Sequence, residues 1–255
     1  MSRPTGTVRV GIGGWVFPPW RGLFYPPGLA HARDLAYASR AVTAIEINGT
    51  FYGSQKPGSF RRWHDETPAD FVFSVKAPRF ATHRRELASA GPAIERFLAS
   101  GVLELQHKLG PILWQFPPFL RFARSDFEAF LALLPAAIDQ RILRHVVEVR
   151  DPSFLDPAFP ELLSARNIAV ALVDDDKYPA IDAVTADFVY ARLRRSVEHE
   201  PAGYADPALD FWAERAWEWI GRGLDVFVYF IDGAKLRAPA AAAALLKRLA
   251  AKSAP

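Results

Sequence analysis

The feature that most constrains this chain is an alternation of eight short β-rich runs with segments of helical length. The runs fall at residues 8–15, 44–52, 71–77, 112–116, 145–150, 169–174, 188–193 and 226–232, and Val, Ile and aromatic residues dominate them. Between and after them lie stretches such as "HARDLAYASRAV", "AIERFLASGVLELQHKL", "RSDFEAFLALL", "PAFPELLSARN", "PALDFWAERAWEWIGRG" and "PAAAAALLKRLAAK". Strands that alternate with helices pair in parallel through right-handed crossovers. Eight such units in 255 residues fit an α/β chain folded as a closed (β/α)₈ TIM barrel, a single domain over residues 1–255. A doubly wound open sheet usually holds fewer strands at this length. The proline-rich stretches "WVFPPWRGLFYPPG" and "QFPPF" flank strand ends and read as rigid connections rather than linkers.

A barrel gives meaning to an odd second strand. In "IEINGTFYG", Glu46, Asn48 and Thr50 share one parity, so an extended chain projects a carboxylate, an amide and a hydroxyl from one face. The other strands follow suit at the same end, with Lys76 on the third, Gln115 on the fourth, and Glu148 and Arg150 on the fifth. Asp174 ends the sixth, Arg192 lies in the seventh and Asp232 ends the eighth. Ligand sites of such barrels sit at the C-terminal mouth, so a polar mouth explains the pattern better than a solvated sheet face.

Composition removes several function classes. The chain has no cysteine, which excludes disulfides, thiolate metal sites and thiol catalysis. A formal charge of +3 permits anionic partners but is far from that of a dedicated nucleic-acid binder. No apolar run approaches the roughly 18 residues that cross a bilayer. The start "MSRPTGTVRV" lacks the apolar core of a signal peptide, so the expectation is a cytoplasmic protein without a membrane partner. The sequence sets no oligomeric state.

The segments "GGWVFPPWRGLFYP", "IEINGTFY", "FVFSVKAPRFATH", "LGPILWQFPP" and "VVEVRDPSF" resemble, in order, the signature stretches of the YecE-like family, domain of unknown function seventy-two. The resemblance implies a barrel similar in fold to the metal-dependent xylose isomerase and endonuclease four type, and it names no activity. The C-terminal third departs from the family pattern. Relatives typically read Arg-Leu-His-Gly on strand seven, where this chain has Arg192, Leu193, Arg194 and Arg195. An Asn-Asn-Asp-like end of strand eight is here Ile231, Asp232 and Gly233, and a usual tryptophan after strand five is Phe154.

Three chemistries fit the strand ends. Glu46 and Glu148 could serve as acid and base on a glycosidic or similar bond, unless Lys76 and Arg150 neutralise them. Lys76 could act as a Schiff-base amine if its pKa were depressed, and a neighbouring Glu46 works against that. A metal site built from several histidines is disfavoured, because His31, His64 and His107 fall on predicted helices and His145 enters its strand at the far end. Only His83 and His199 could reach the mouth. Glu46, Glu148, Asp174 and Asp232 leave room for one magnesium or manganese ion, and no other cofactor is expected.

The ligand-binding set is then Trp15, Asn48, Thr50, Tyr52, His83, Gln115, Arg150, Asp174, Arg192 and Asp232, with Glu46, Lys76 and Glu148 as catalytic candidates. The expected ligand is a small anion such as a phosphorylated sugar, or nucleic acid, bound by a hydrolase or lyase. The alternative is a non-catalytic binding module on the same scaffold. Arg194, Arg195 and the segment "DGAKLRAPAA" mark a corner where phosphate could sit against a helix start near Pro239.

Overall fold

The alternation closes on itself. In a computed structural model describing residues 6–253, eight parallel strands form a barrel: β1 (Val8–Gly13), β2 (Ala44–Ile47), β3 (Val72–Lys76), β4 (Leu109–Gln115), β5 (His145–Glu148), β6 (Ala169–Asp174), β7 (Phe188–Leu193) and β8 (Asp225–Phe230). Each strand pairs with its sequence neighbours, and β1 closes the ring against β8 with Val8 opposite Val226. Residues 1–5, where an export signal was sought, lie outside this range. No helix of the described residues is long and apolar enough to cross a membrane.

Strict alternation along the strands sorts side chains into two cores. Ile45, Ile47, Phe73, Val75, Ile112, Trp114, Val147, Val170, Leu172, Val189 and Val226 point outward into the shell between barrel and helices. Ala44, Leu113, Val146, Ala171, Phe188, Tyr190, Phe227 and Tyr229 fill the lumen. The lumen is therefore apolar at its base and becomes polar only towards the strand C-termini. Gly11 belongs to this filling, since a Cβ there would stand 2.2 Å from the Ala44 carbonyl oxygen and 2.9 Å from the Tyr229 ring. Tyr229 can cross the lumen only because residue 11 has no side chain.

Among the described residues, seven helices of at least seven residues flank the barrel, at Asp34–Ala41, Pro57–Glu66, Gly91–Leu98, Arg124–Ala132, Ala158–Ser164, Asp206–Gly221 and Ala238–Ser253. The expected long helix over "AIERFLASGVLELQHKL" ends at Leu98. Gly101, at φ 100°, then breaks it before a 3₁₀ segment over Val102–Lys108. Residues 175–187, between β6 and β7, contain no helix; a run of acids and Pro179 interrupt any helical apolar period.

Strand two also ends early. Asn48 adopts helical dihedrals (φ −95°, ψ −19°), and Gly49–Tyr52 forms a single helical turn. The shared parity of Glu46, Asn48 and Thr50 therefore does not survive, because parity holds only while the chain stays extended.

Candidate functional site

Two hydroxyls fix the turns above the lumen. Thr50 Oγ1 donates to the Lys76 carbonyl at 2.7 Å and to that of Ile47 at 3.2 Å, tying the turn after β2 to the end of β3. Phe51 is thereby held beneath Lys76, whose Nζ stands 3.9 Å from the ring centroid. Thr82 Oγ1 donates to the Gln115 carbonyl at 2.7 Å and ties the next turn to the end of β4. His83 follows, its ring 5.5 Å from that of Phe51.

Below these turns lies a closed charge network. Arg192, only 1% exposed, reaches across the lumen from β7. Its Nε donates to Glu46 Oε2 and its Nη2 to Glu46 Oε1, both at 3.0 Å, while Nη1 bonds Glu148. Tyr190 donates its hydroxyl to Glu46 Oε2 at 2.7 Å. The other oxygen of Glu148 accepts from Gln115 Nε2 at 2.6 Å and Arg150 Nε at 3.1 Å. All four carboxylate oxygens thus have donors, and neither Glu46 nor Glu148 is exposed at all.

The pKa directions follow from this geometry. Burial alone would raise the Glu148 carboxyl, but Arg192, Arg150 and Lys76 outweigh it and hold it at about 2. Burial and the charge of Glu46 push the Tyr190 phenol well up, so it keeps the proton that it donates. Desolvation, then Arg192, lowers Lys76 to about 8 against the weaker opposing pull of Glu46 and Glu148. Glu46 does raise this lysine, as the sequence implied, but desolvation and Arg192 outweigh it. His83 is held below its ordinary value by desolvation, then by Arg79, Arg150 and Lys76.

Above the network opens a cavity of about 410 Å³ whose lining includes Asn48, Tyr52, Lys76, His83, Gln115, Arg150, Arg192 and Asp232. Glu46 and Glu148 were expected to line one pocket with Lys76, Gln115 and Arg150; they lie beneath its floor instead. Trp15 packs against Trp63 and Phe73, with ring centroids 5.1 and 6.3 Å away, and does not line the cavity. Thr50 is buried and spends its hydroxyl on backbone. Asp174 has outward parity and lines a separate surface depression with Arg195 and His199, so His199 does not reach the mouth. Among the described residues no three His, Asp or Glu side chains come together as a metal site. Glu46, Glu148, Asp174 and Asp232 accordingly do not converge.

Sequence reasoning left Phe51 out of the site; Trp20 and Lys235 also line the cavity. Trp20 comes from the proline-rich loop after β1 and donates its indole N–H to the Lys235 carbonyl at 3.0 Å. Lys235 Nζ stands 4.8 Å from the Phe17 ring centroid and 5.9 Å from that of Trp20. Tyr178, from the helix-free connection, lies under both Arg150 and Arg194, at 4.5 and 5.2 Å. Arg194 is ion-paired with Asp175 and Asp232. Of the expected phosphate corner, Arg194 and Lys235 join the cavity. Arg195 turns to Asp174 and Asp176, and Arg237 to the Glu198 carbonyl.

Lys76 and Lys235 share one property. Neither ammonium has a hydrogen bond or ion pair with any described residue, and both face the cavity from aromatic seats.

Comparison with known proteins places the chain among proteins without an assigned activity. The family model described as "Protein of unknown function DUF72" matches residues 9–255. The UPF0759 protein YunF of Bacillus subtilis is 31% identical over 159 residues, 60% of this chain and 54% of that protein. The UPF0759 protein YecE of Escherichia coli K12 is 28% identical over 150 residues, 58% of this chain and 50% of that protein. The chain thus spans about half the length of the curated relatives it matches. A crystal structure of a DUF72 family protein from Thermotoga maritima superposes with a TM-score of 0.77 at 25% identity, covering 96% of this chain and 99% of that one. A D-psicose 3-epimerase, solved in the presence of D-fructose, shares the fold alone, with a TM-score of 0.52 at 10% identity, 94% of this chain and 95% of that one being covered.

Proposed function

The chain belongs to the DUF72 family, and we propose that it binds a small anionic ligand, such as a phosphorylated sugar, in the cavity at the barrel mouth. One observation carries the reading. Lys76 and Lys235 face the cavity with no carboxylate partner, while Glu46 and Glu148 are consumed by Arg192 beneath it. An incoming anion therefore meets two ammonium groups that no described carboxylate ion-pairs. The helix that starts at Ala238 presents its first residue in the same wall, adding the positive end of a helix dipole. A cavity of about 410 Å³ lies within the range of small-molecule sites and favours such a ligand over nucleic acid.

In this reading Glu46 and Glu148 are not the acid and base of a hydrolase. Their oxygens already accept six hydrogen bonds, and neither is exposed. They instead hold Arg192 in place, which in turn sets the charge around Lys76.

Calorimetric titration with ribose 5-phosphate is expected to give saturable 1:1 binding. Lys235→Ala should weaken it roughly tenfold or more, the usual loss for a charged hydrogen-bond donor. Lys247→Ala, on the exposed face of the last helix, should leave it unchanged. Equal affinity of wild type and Lys235→Ala, or saturable binding only to oligonucleotides, would reject the small-anion reading.

A further inference from the structure

We infer that Lys76 is a carbonyl-reactive amine, placed so that its Nζ can form an imine with a small aldehyde or ketone held in the mouth cavity. The inference deepens the anion-site reading, on which it relies for how the ligand is held, though the reactivity of the amine is independent of it.

The contrast with the other buried lysine is the starting point. Lys108 Nζ donates to the Thr67 carbonyl at 2.8 Å, to Thr67 Oγ1 at 3.2 Å and to the His64 carbonyl. All three of its hydrogens are used, as a structural lysine requires. Lys76 is 6% exposed, against 3% for Lys108, yet uses none. Its Nζ rests over the Phe51 ring, a face that offers no hydrogen-bond acceptor in the plane of a carbonyl and leaves the nitrogen open to the cavity. The charges around it divide, with Arg192 and Arg150 disfavouring protonation and Glu46 and Glu148 favouring it. The carboxylates of Glu46 and Glu148 are bound to Arg192, and no ion pair joins either to Lys76. A lysine desolvated beside cationic groups is the recognised setting of an amine nucleophile, and desolvation with Arg192 does bring this one down to about 8.

His83 supplies the remaining function. It lines the same cavity and packs on the same Phe51 ring at 5.5 Å, and desolvation and nearby cations hold its pKa down, which favours the neutral imidazole that accepts a proton. The step balances without any further reactant. His83 takes a proton from the ammonium, and the Nζ lone pair attacks the carbonyl carbon. A C–N bond forms as the C=O π pair moves to oxygen, which takes a proton from the new N⁺–H to give the neutral carbinolamine. His83 then returns its proton to the hydroxyl, water leaves, and the nitrogen lone pair closes the C=N bond of a protonated imine. One ammonium and one carbonyl become one iminium and one water. The cationic charge above the Arg192 network is the same before and after, so imine formation does not disturb the pairing of Glu46 and Glu148.

Reductive trapping with sodium cyanoborohydride at pH 7 tests this, with limiting formaldehyde in one arm and limiting glyoxylate in the other, followed by peptide mapping. Lys76 is expected to be alkylated at least about tenfold faster than Lys247, because a larger fraction is neutral at that pH. Glyoxylate, an anionic aldehyde, should extend the preference. In Lys76→Met the fast phase should vanish while exposed lysines still react, which shows that the folded protein rather than its failure is being read. Fast formaldehyde labelling of Lys76 with no gain from glyoxylate would sustain the imine inference and count against the anion site. Lys76 labelled no faster than Lys247 or Lys235, with ribose 5-phosphate binding intact, would overturn the imine inference alone.

Discussion

Arg192→Met is expected to destabilise the protein by about 3–5 kcal/mol, the usual cost of removing one partner from a buried ion pair. The guanidinium satisfies both oxygens of Glu46 and one of Glu148, and all three residues are at most 1% exposed. Without it two carboxylates stand in an apolar lumen with only Tyr190, Gln115 and Arg150 as donors. They must then ionise at a cost or take up protons. Adding Glu46→Gln and Glu148→Gln to the variant should recover part of the loss, since the charges that needed Arg192 are gone. Urea unfolding of the wild type, the single and the triple variant at pH 7 reads this directly. A single variant within about 1 kcal/mol of wild type would mean that the network carries little of the stability assigned to it.

Lys76→Met is expected to act in the opposite direction and to stabilise the protein at pH 7. The sign follows from linkage. Lys76 titrates near 10.5 when unfolded and about 8 when folded, so the folded chain bears the cost of its charge at neutral pH. As pH rises from about 8 to 10.5, the folded protein loses this proton first and the cost is released. The difference of about 2.5 units corresponds to roughly 3 kcal/mol, which methionine, of similar length and without charge, would remove. The gain should be largest at pH 7 and shrink towards pH 10.5. Residues placed for binding or chemistry often cost stability in this way. A Lys76→Met protein that is less stable than wild type at pH 7, with a difference indifferent to pH, would refute the placement of an unpaired amine there.

The barrel itself was legible because it depends on local signals. β-branched runs, helical periods and their strict alternation are properties of neighbouring residues, and each of the eight strands lies within or across the segment read for it. What the sequence concealed depends on non-local geometry. Glu46 is separated from Arg192 by 146 residues, and only the tilt and closure of the barrel bring that guanidinium across the lumen. Reading along the chain suggested Lys76, one strand away, as the partner of Glu46. Asp174 misled for a simpler reason: it ends β6 on the outward parity shared with Val170 and Leu172, which the strand sequence does show once the register is fixed. Thr50 and Tyr52 were read as strand because "INGTFY" is rich in β-formers. Asn48 and Gly49 were the available signals for the turn, and they set Phe51 under Lys76.

The most direct measurement is the titration of Lys76 itself, followed by the chemical shifts of its ¹³Cε and ¹⁵Nζ in selectively labelled protein, without ligand and with saturating phosphate. A mouth cavity built around an unpaired amine above a saturated carboxylate pair requires a midpoint near 8 in the free protein. The midpoint should move upward when phosphate binds, because an adjacent anion favours the ammonium. A midpoint at or above 10.5, unmoved by phosphate, would show that Lys76 is already neutralised within the barrel and would contradict both the anion site and the reactive amine.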